Sequence, residues 1–149
     1  MTESETLERV RKKRNSRKAP STQAGAFVRE EFHHIREGKH GARSAKQAIA
    51  IGLSKARRAG VRLPPPKKGR ASKEVRRHAQ RDYEKGIHGD GHTSAKRSSA
   101  TIRALRREGR AAASRAAISR QASRSARSRT AADRSAAARK AAKTRVGER

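Results

Sequence analysis

The sequence predicts an all-α protein: small helical hairpins held between extended, largely disordered or transiently helical basic arms. Three observations lead there. Residues 44–60 place small or apolar side chains at Ala45, Ala48, Ile49, Gly52, Leu53 and Ala56, intervals of three and four that line one face of a helix. Leu, Ile, Val and Phe together number 17 of 149 residues, about 11%, against a net charge of +28. That is well below the ~20% under which highly charged chains tend to stay open. The last forty residues are almost purely Ala, Arg and Ser, of which Ala and Arg are strong helix formers.

The same composition excludes several classes. Without cysteine there is no disulfide or thiolate chemistry. No apolar run approaches the ~18 residues that span a bilayer, and the N-terminus carries no signal-peptide apolar region. A chain of pI 11.9 repels itself unless a polyanion neutralises it. The expectation is a cytoplasmic protein with an anionic partner.

Residues 1–20 begin with Glu3, Glu5 and Glu8 and then turn basic, with Leu7 and Val10 the only sizeable apolar side chains. They read as a mobile basic arm that contacts phosphate, the alternatives being a solvated leader or a targeting patch. Residues 21–62 read as a helix–loop–helix core. Its first helix runs from Ser21, capped by Ser21 or Thr22, to Gly38. It carries a stripe of Val28, Phe32 and Ile35 flanked by Phe27. The short loop Gly38–Gly41 makes the two helices antiparallel neighbours, so Phe32 and Ile35 should pack on Ile49 and Leu53.

The second helix has both ends marked. Ser44 is an N-cap, and Gln47 completes a capping box. Gly60 suits the left-handed position after the last turn, Val61 folds back, and Pro64–Pro66 forbid continuation. Lys46, Ala50, Ser54, Arg57 and Arg58 fall on the other side, a basic solvent face. Four or five buried side chains at ~1.5–3 kcal/mol each barely offset the ordering of some forty residues at ~1 kcal/mol or more, so the hairpin alone is marginal.

Residues 63–71, with three successive prolines, read as a polyproline II spacer and a boundary. Residues 72–109 read as a weak second helical unit, either a degenerate copy of the first or a chance likeness in a biased composition. Tyr83–Gly89 compares with Ile35–Gly41, Ser94–Lys96 with Ser44–Lys46, and Arg106–Gly109 with Arg57–Gly60. Residues 110–149 form an Ala/Arg/Ser tail without heptads, expected to order along a polyanion. Residues 93–149 hold 17 Lys and Arg against three acids, half of the net charge.

The box K-Q-A-I-A-I-G-L-S-K-A-R-R-A-G, Lys46 to Gly60, resembles one that recurs in a family of small, very basic, uncharacterised bacterial proteins, often labelled DNA-binding or plasmid-stabilisation proteins. Val28 to Gly41 is similar to their first helix and loop, and Ala104 to Arg115 to the tail of longer members. Residues 109–149 also resemble histone H1-like tails in composition, with Arg in place of the usual Lys. The resemblance implies a bacterial nucleic-acid binder, without a known biochemical activity.

Among possible chemical sites, His88-Gly-Asp90-Gly-His92 is the best metal candidate, against the alternative of a flexible polar linker. It supplies two imidazoles and a carboxylate where a structural zinc wants four ligands. His33, His34 and His40 contribute only if folding brings them together. Glu30, Glu31 and Glu37 read as helix-face charges paired with arginines. No carboxylate pair or nucleophile–base set is evident, nor a phosphate-loop glycine pattern, so neither enzyme chemistry, metal nor cofactor is expected.

The reading is non-enzymatic, largely sequence-independent DNA binding by a histone-like or nucleoid-associated protein. Contacts are assigned to Lys46, Arg57 and Arg58 on the helix, and to Lys67, Lys68 and Arg70 in the linker. In the tail they are Arg110, Arg115, Arg120, Arg124, Arg129, Arg134, Arg139, Lys140 and Lys143. The alternatives are RNA or ribosome binding, against which the scarcity of aromatics for base stacking argues, and a protein-interaction module of a plasmid-maintenance system.

Overall fold

A computed structural model describes residues 3–89 and 94–147, and the described residues contain helices and no β-strand. The chain divides into a body, Met1–Ser114, and a tail, Arg115–Arg149.

In the body, helix α1 is Glu3–Asn15, α2 Pro20–Glu37 and α3 Ala45–Arg58. α4 is Lys73–His88, α5 is Ala95–Arg106, and a 3₁₀ turn follows at Ala111–Ala113. α2 packs on α1 along one side and on α3 along another, and α3 also packs on α4. The basic N-terminal segment is therefore not a free arm. Val10 of α1 packs against a cluster of Ala24, Phe27, Ala56 and Val61, together with Leu53 and Leu63, and Thr6 is buried. Lys12, Lys13 and Arg14 lie in the last turn of α1, where the helix dipole favours cations, and Lys13 Nζ donates to Thr22 O at 3.1 Å.

α2 starts differently from the sequence reading. Neither Ser21 nor Thr22 caps it. Ala19 stands at the N-cap without a side-chain bond, and Pro20 occupies the first turn, where its missing N–H costs nothing. Gly38 ends it as expected, left-handed at φ 78°. α3 keeps both predicted ends, with one change in the capping box: Ser44 Oγ accepts from Gln47 N at 3.2 Å, Gln47 Oε1 accepts from Arg43 N, one residue before the N-cap, and Val61 N bonds back to Ala56 O.

The α2–α3 contact is closer than large apolar stripes would allow. Ala45, Ala48, Gly52 and Ala56 are buried on α3, together with Arg57 at its end, while Ile49 and Leu53 are half-buried. A Cβ on Gly52 would stand 2.7 Å from Val28 Cα, so glycine there is what lets the two backbones meet.

The Pro-rich segment is a strap and no boundary. Arg57 reaches from α3 to donate to Leu63 O at 3.0 Å and to Pro64 O at 3.4 Å, and Leu63 joins the core. α4 then lies on α3: Ser54 Oγ donates to Asp82 Oδ2 at 2.5 Å, and Gly86 meets the Arg57 carbonyl so closely that any side chain would collide with it.

Nor is residues 72–109 a second hairpin. α2 and α3 form the broadest contact in the body, whereas α4 docks on α3 and α5 docks on the loop after α2. The helix-ending glycine equivalent to Gly38 is Gly89, left-handed at φ 71°, and not Gly86, which lies inside α4. α5 buries Leu105. Leu105 O accepts from Gly41 N at 2.9 Å, and Gly109 O accepts from Ala42 N at 3.1 Å, so two loop amides tie the loop to the end of α5 and the turn after it. Arg36 Nε adds a bond to Ala113 O at 3.1 Å.

In the tail, α6 is Arg115–Arg127 and α7 is Ala131–Gly147, and neither has a buried residue. α7 opens on a reciprocal cap in which Asp133 N donates to Thr130 Oγ1 at 3.1 Å and Thr130 N to Asp133 Oδ2 at 3.4 Å. Of the two states expected for the tail, disorder or transient helix, its described residues show helix, because alanine propensity and this cap act locally and need no core.

Candidate functional site

Two features stand out: a cationic surface and a buried acid–histidine cluster. The surface residues divide by placement. Lys46 is exposed in the first turn of α3 and Arg58 is half-exposed at its end, 3.7 Å from Asp82. Twelve residues of helix separate the two by about 18 Å, so they do not form one patch. Lys67, Lys68 and Arg70 are exposed on the strap. Arg110 is exposed and donates to Arg36 O at 3.5 Å. Arg115, Arg120 and Arg124 on α6, Arg129 in the turn, and Arg134, Arg139, Lys140 and Lys143 on α7 are all exposed.

Arg57 is the correction. It is only 7% exposed and serves the strap carbonyls, so it is removed from the outer face. A one-sided helical wheel put it outside because it did not include α4. Burial pushes its pKa below the ordinary arginine value, and Asp82 opposes that shift. Arg57→Gln is expected to cost the body about 2 kcal/mol, the scale of buried bonds from a charged donor. Lys46→Gln should stay within about 0.5 kcal/mol. Urea unfolding of both variants checks this, and equal midpoints would refute the clamp.

The sequence reading passed over α5. Lys96, Arg103 and Arg107 are exposed and follow one another at intervals of seven and four, a single row opposite the buried Leu105. On α6, Arg120, Arg124 and Arg127 repeat at four and three and form another row. Arg127 was not among the contacts assigned from the sequence.

The buried cluster comes from α2, its following loop and α3. Glu30 and Glu31 are on the inner side of α2 and His34 is one turn beyond Glu31. Gly38 turns the chain so that His40 comes back over them. His40 Nε2 lies 3.2 Å from Glu31 Oε1, Lys55 Nζ 2.8 Å from Glu31 Oε2, and His34 Nε2 3.8 Å from Glu30 Oε1. The His34 and His40 rings meet edge to face, centroids 6.2 Å apart. Glu31 is fully buried and His40 is 7% exposed. Glu31 thus pairs with lysine and histidine. Glu37 is outside the cluster, with Lys39 Nζ at 3.0 Å and His33 Nδ1 at 3.1 Å. The Lys39 hydrogen bond leads in holding the Glu37 carboxyl below its ordinary pKa.

Glu31, His40 and Lys55 line a cavity of about 600 Å³ together with Ser98, Thr101 and Ile102 of α5. Of the sequence's own metal candidate, His88 is exposed at the end of α4, and Asp90 and His92 lie outside the described residues. The signal for the buried cluster was present: Glu31 and His34 are three apart on a helix, a spacing that aims both side chains at one point, with a histidine just past the terminating glycine.

A model for a family of unknown function (DUF6496) matches residues 19–68, the span of α2, the loop, α3 and most of the strap. No curated protein and no solved structure matches the chain.

Proposed function

We propose that the protein binds duplex DNA without catalysis and largely without regard to sequence, as a nucleoid-associated protein would. One observation carries this reading. A chain with net charge +28 spends few of its cations internally, and keeps rows of them exposed on α5 and α6 and around α7. Arginine and lysine rows at helical spacing suit phosphate neutralisation, with release of condensed counterions as the driving force. Base readout needs a few side chains held rigidly against groove edges, and α7, exposed around nearly its whole circumference, has no packed face to hold them.

The test is filter binding over a salt series, with several unrelated duplexes and one RNA hairpin of matched length. A protein neutralising ~6–10 phosphates loses about 10³–10⁵ in affinity between 50 and 200 mM salt. The loss should reach that range and be the same for every duplex. A preference for one duplex that survives high salt would overturn sequence independence. A large preference for the hairpin would move the reading to RNA.

A further inference from the structure

We propose that Glu31, His34 and His40 bind one zinc ion at the junction of α2, the loop and α3. This inference does not depend on the DNA-binding reading. One ligand atom from each residue lies within 4.8 Å of the others. Zinc takes imidazole nitrogen and carboxylate oxygen at about 2.0–2.2 Å. Tetrahedral ligands then stand about 3.4 Å apart, so closing the set needs side-chain rotation of about an ångström. Two imidazoles and one carboxylate with a fourth position left open is a zinc donor set, and imidazole suits zinc better than magnesium or calcium.

The hydrogen bonding of His40 gives an independent pointer. Its Nδ1 lies 3.1 Å from Gly41 O, and a carbonyl can only accept, so Nδ1 carries the proton. Nε2 of the neutral ring is then a lone pair, and it faces the Glu31 carboxylate oxygen at 3.2 Å. Two acceptors do not face each other in a buried site without a cation between them. That cation is either a proton, giving an imidazolium ion pair, or a metal. A backbone carbonyl holding the distal N–H is the usual support of a metal-bound histidine. Lys55 occupies Glu31 Oε2 and leaves Oε1 for the ion. Glu31 and His40 also line the cavity, so the open position faces it and takes water. Because α2 supplies two ligands and the loop one, the ion fixes the loop on which Gly41 and Ala42 hold the end of α5.

Nucleic-acid-free, full-length protein is titrated with zinc by calorimetry and with cobalt(II) by visible absorption, and melted with and without zinc. The expected result is one ion per chain, the ligand-field bands of four-coordinate cobalt, and a zinc-dependent rise in melting temperature. Glu31→Gln and His40→Gln should each weaken binding by about 100-fold or more, beyond the roughly 10–100-fold that supporting groups contribute. Should those buried changes prevent folding, His34→Gln replaces a side chain that is 15% exposed and tests the same site. Lys55→Met separates a metal site from a plain ion pair. It should destabilise the metal-free protein, bind zinc at least as tightly as wild type, and regain stability when zinc is added. Failure of zinc to rescue Lys55→Met, or absence of a stoichiometric ion, leaves only the imidazolium pair and overturns the proposal. So does binding that survives in His34→Gln, or binding lost in the doubly substituted His88→Gln, His92→Gln chain.

Discussion

Gly52→Leu should abolish the cooperative unfolding of the body. Gly52 sits in the middle of α3 with its Cα against the backbone of Val28, and a Cβ would be 2.7 Å from Val28 Cα and 3.0 Å from Val28 N. Backbone cannot rotate away as a side-chain tip can, so the helices must separate. Overpacking costs typically 1–3 kcal/mol and more where backbone moves. Separation also uncovers Ala24, Ala48 and Ala56, which are fully buried. Against a stability of about 5–15 kcal/mol for ordinary domains, a core built mainly of alanine has little in reserve. Gly25→Ala on the facing helix is the control: nothing lies within 4 Å of its Cβ position, and the change should stabilise α2 by about 0.5–1 kcal/mol. Thermal melts of the full chain followed by circular dichroism give both. A Gly52→Leu protein that melts like wild type would mean the α2–α3 packing is wrong.

What the sequence revealed of this fold was what is local. The caps of α3 at Ser44 and Gln47, the stop at Gly38 and the helicity of Ala45–Ala56 each depend on residues within one or two turns, and all were legible. What it concealed was long-range. Val10 is one of two sizeable apolar residues in a charged segment, and the Ala24–Phe27–Ala56–Val61 cluster gives it a place to go. Three prolines suggest a spacer, because nothing in their composition reveals that Arg57, six and seven residues away, binds the carbonyls of Leu63 and Pro64. Gly86 looked like a loop residue because glycine is costly in helices; it is tolerated inside α4 because the Arg57 carbonyl needs the space.

The candidate sites were legible to different degrees. Cationic surface is legible wherever arginine has no partner helix, which holds for α6 and α7 and fails for Arg57. The buried cluster was half-legible: Glu31 and His34 share a face by spacing alone, but His40 joins them only through the left-handed turn at Gly38 and through Leu105 O and Gly109 O, which hold Gly41 and Ala42 from 64 to 67 residues away. No local pattern encodes that.

Removal of residues 115–149 should flatten the salt dependence of DNA binding more than any change within the body. The segment holds 11 Lys and Arg against two acids. Its helices α6 and α7 bury nothing, so the body should still fold without them, and an unchanged thermal melt would establish that. Each neutralised phosphate contributes about −0.9 to the slope of log affinity against log salt. If about five of the tail cations engage at once, the slope flattens by ~4.5. Over a fourfold rise in salt the intact protein then loses about 500-fold more affinity than the truncated one. Neutralising only the α6 row, with Arg120, Arg124 and Arg127 changed to Gln, should flatten the slope by about 2.7 if all three contact phosphate. Both losses should be equal on unrelated duplexes, because phosphate spacing is the same in each. A truncated protein with the wild-type slope would place the contacts on the body, and the exposed row Lys96, Arg103 and Arg107 of α5 would be the surface to neutralise in their stead.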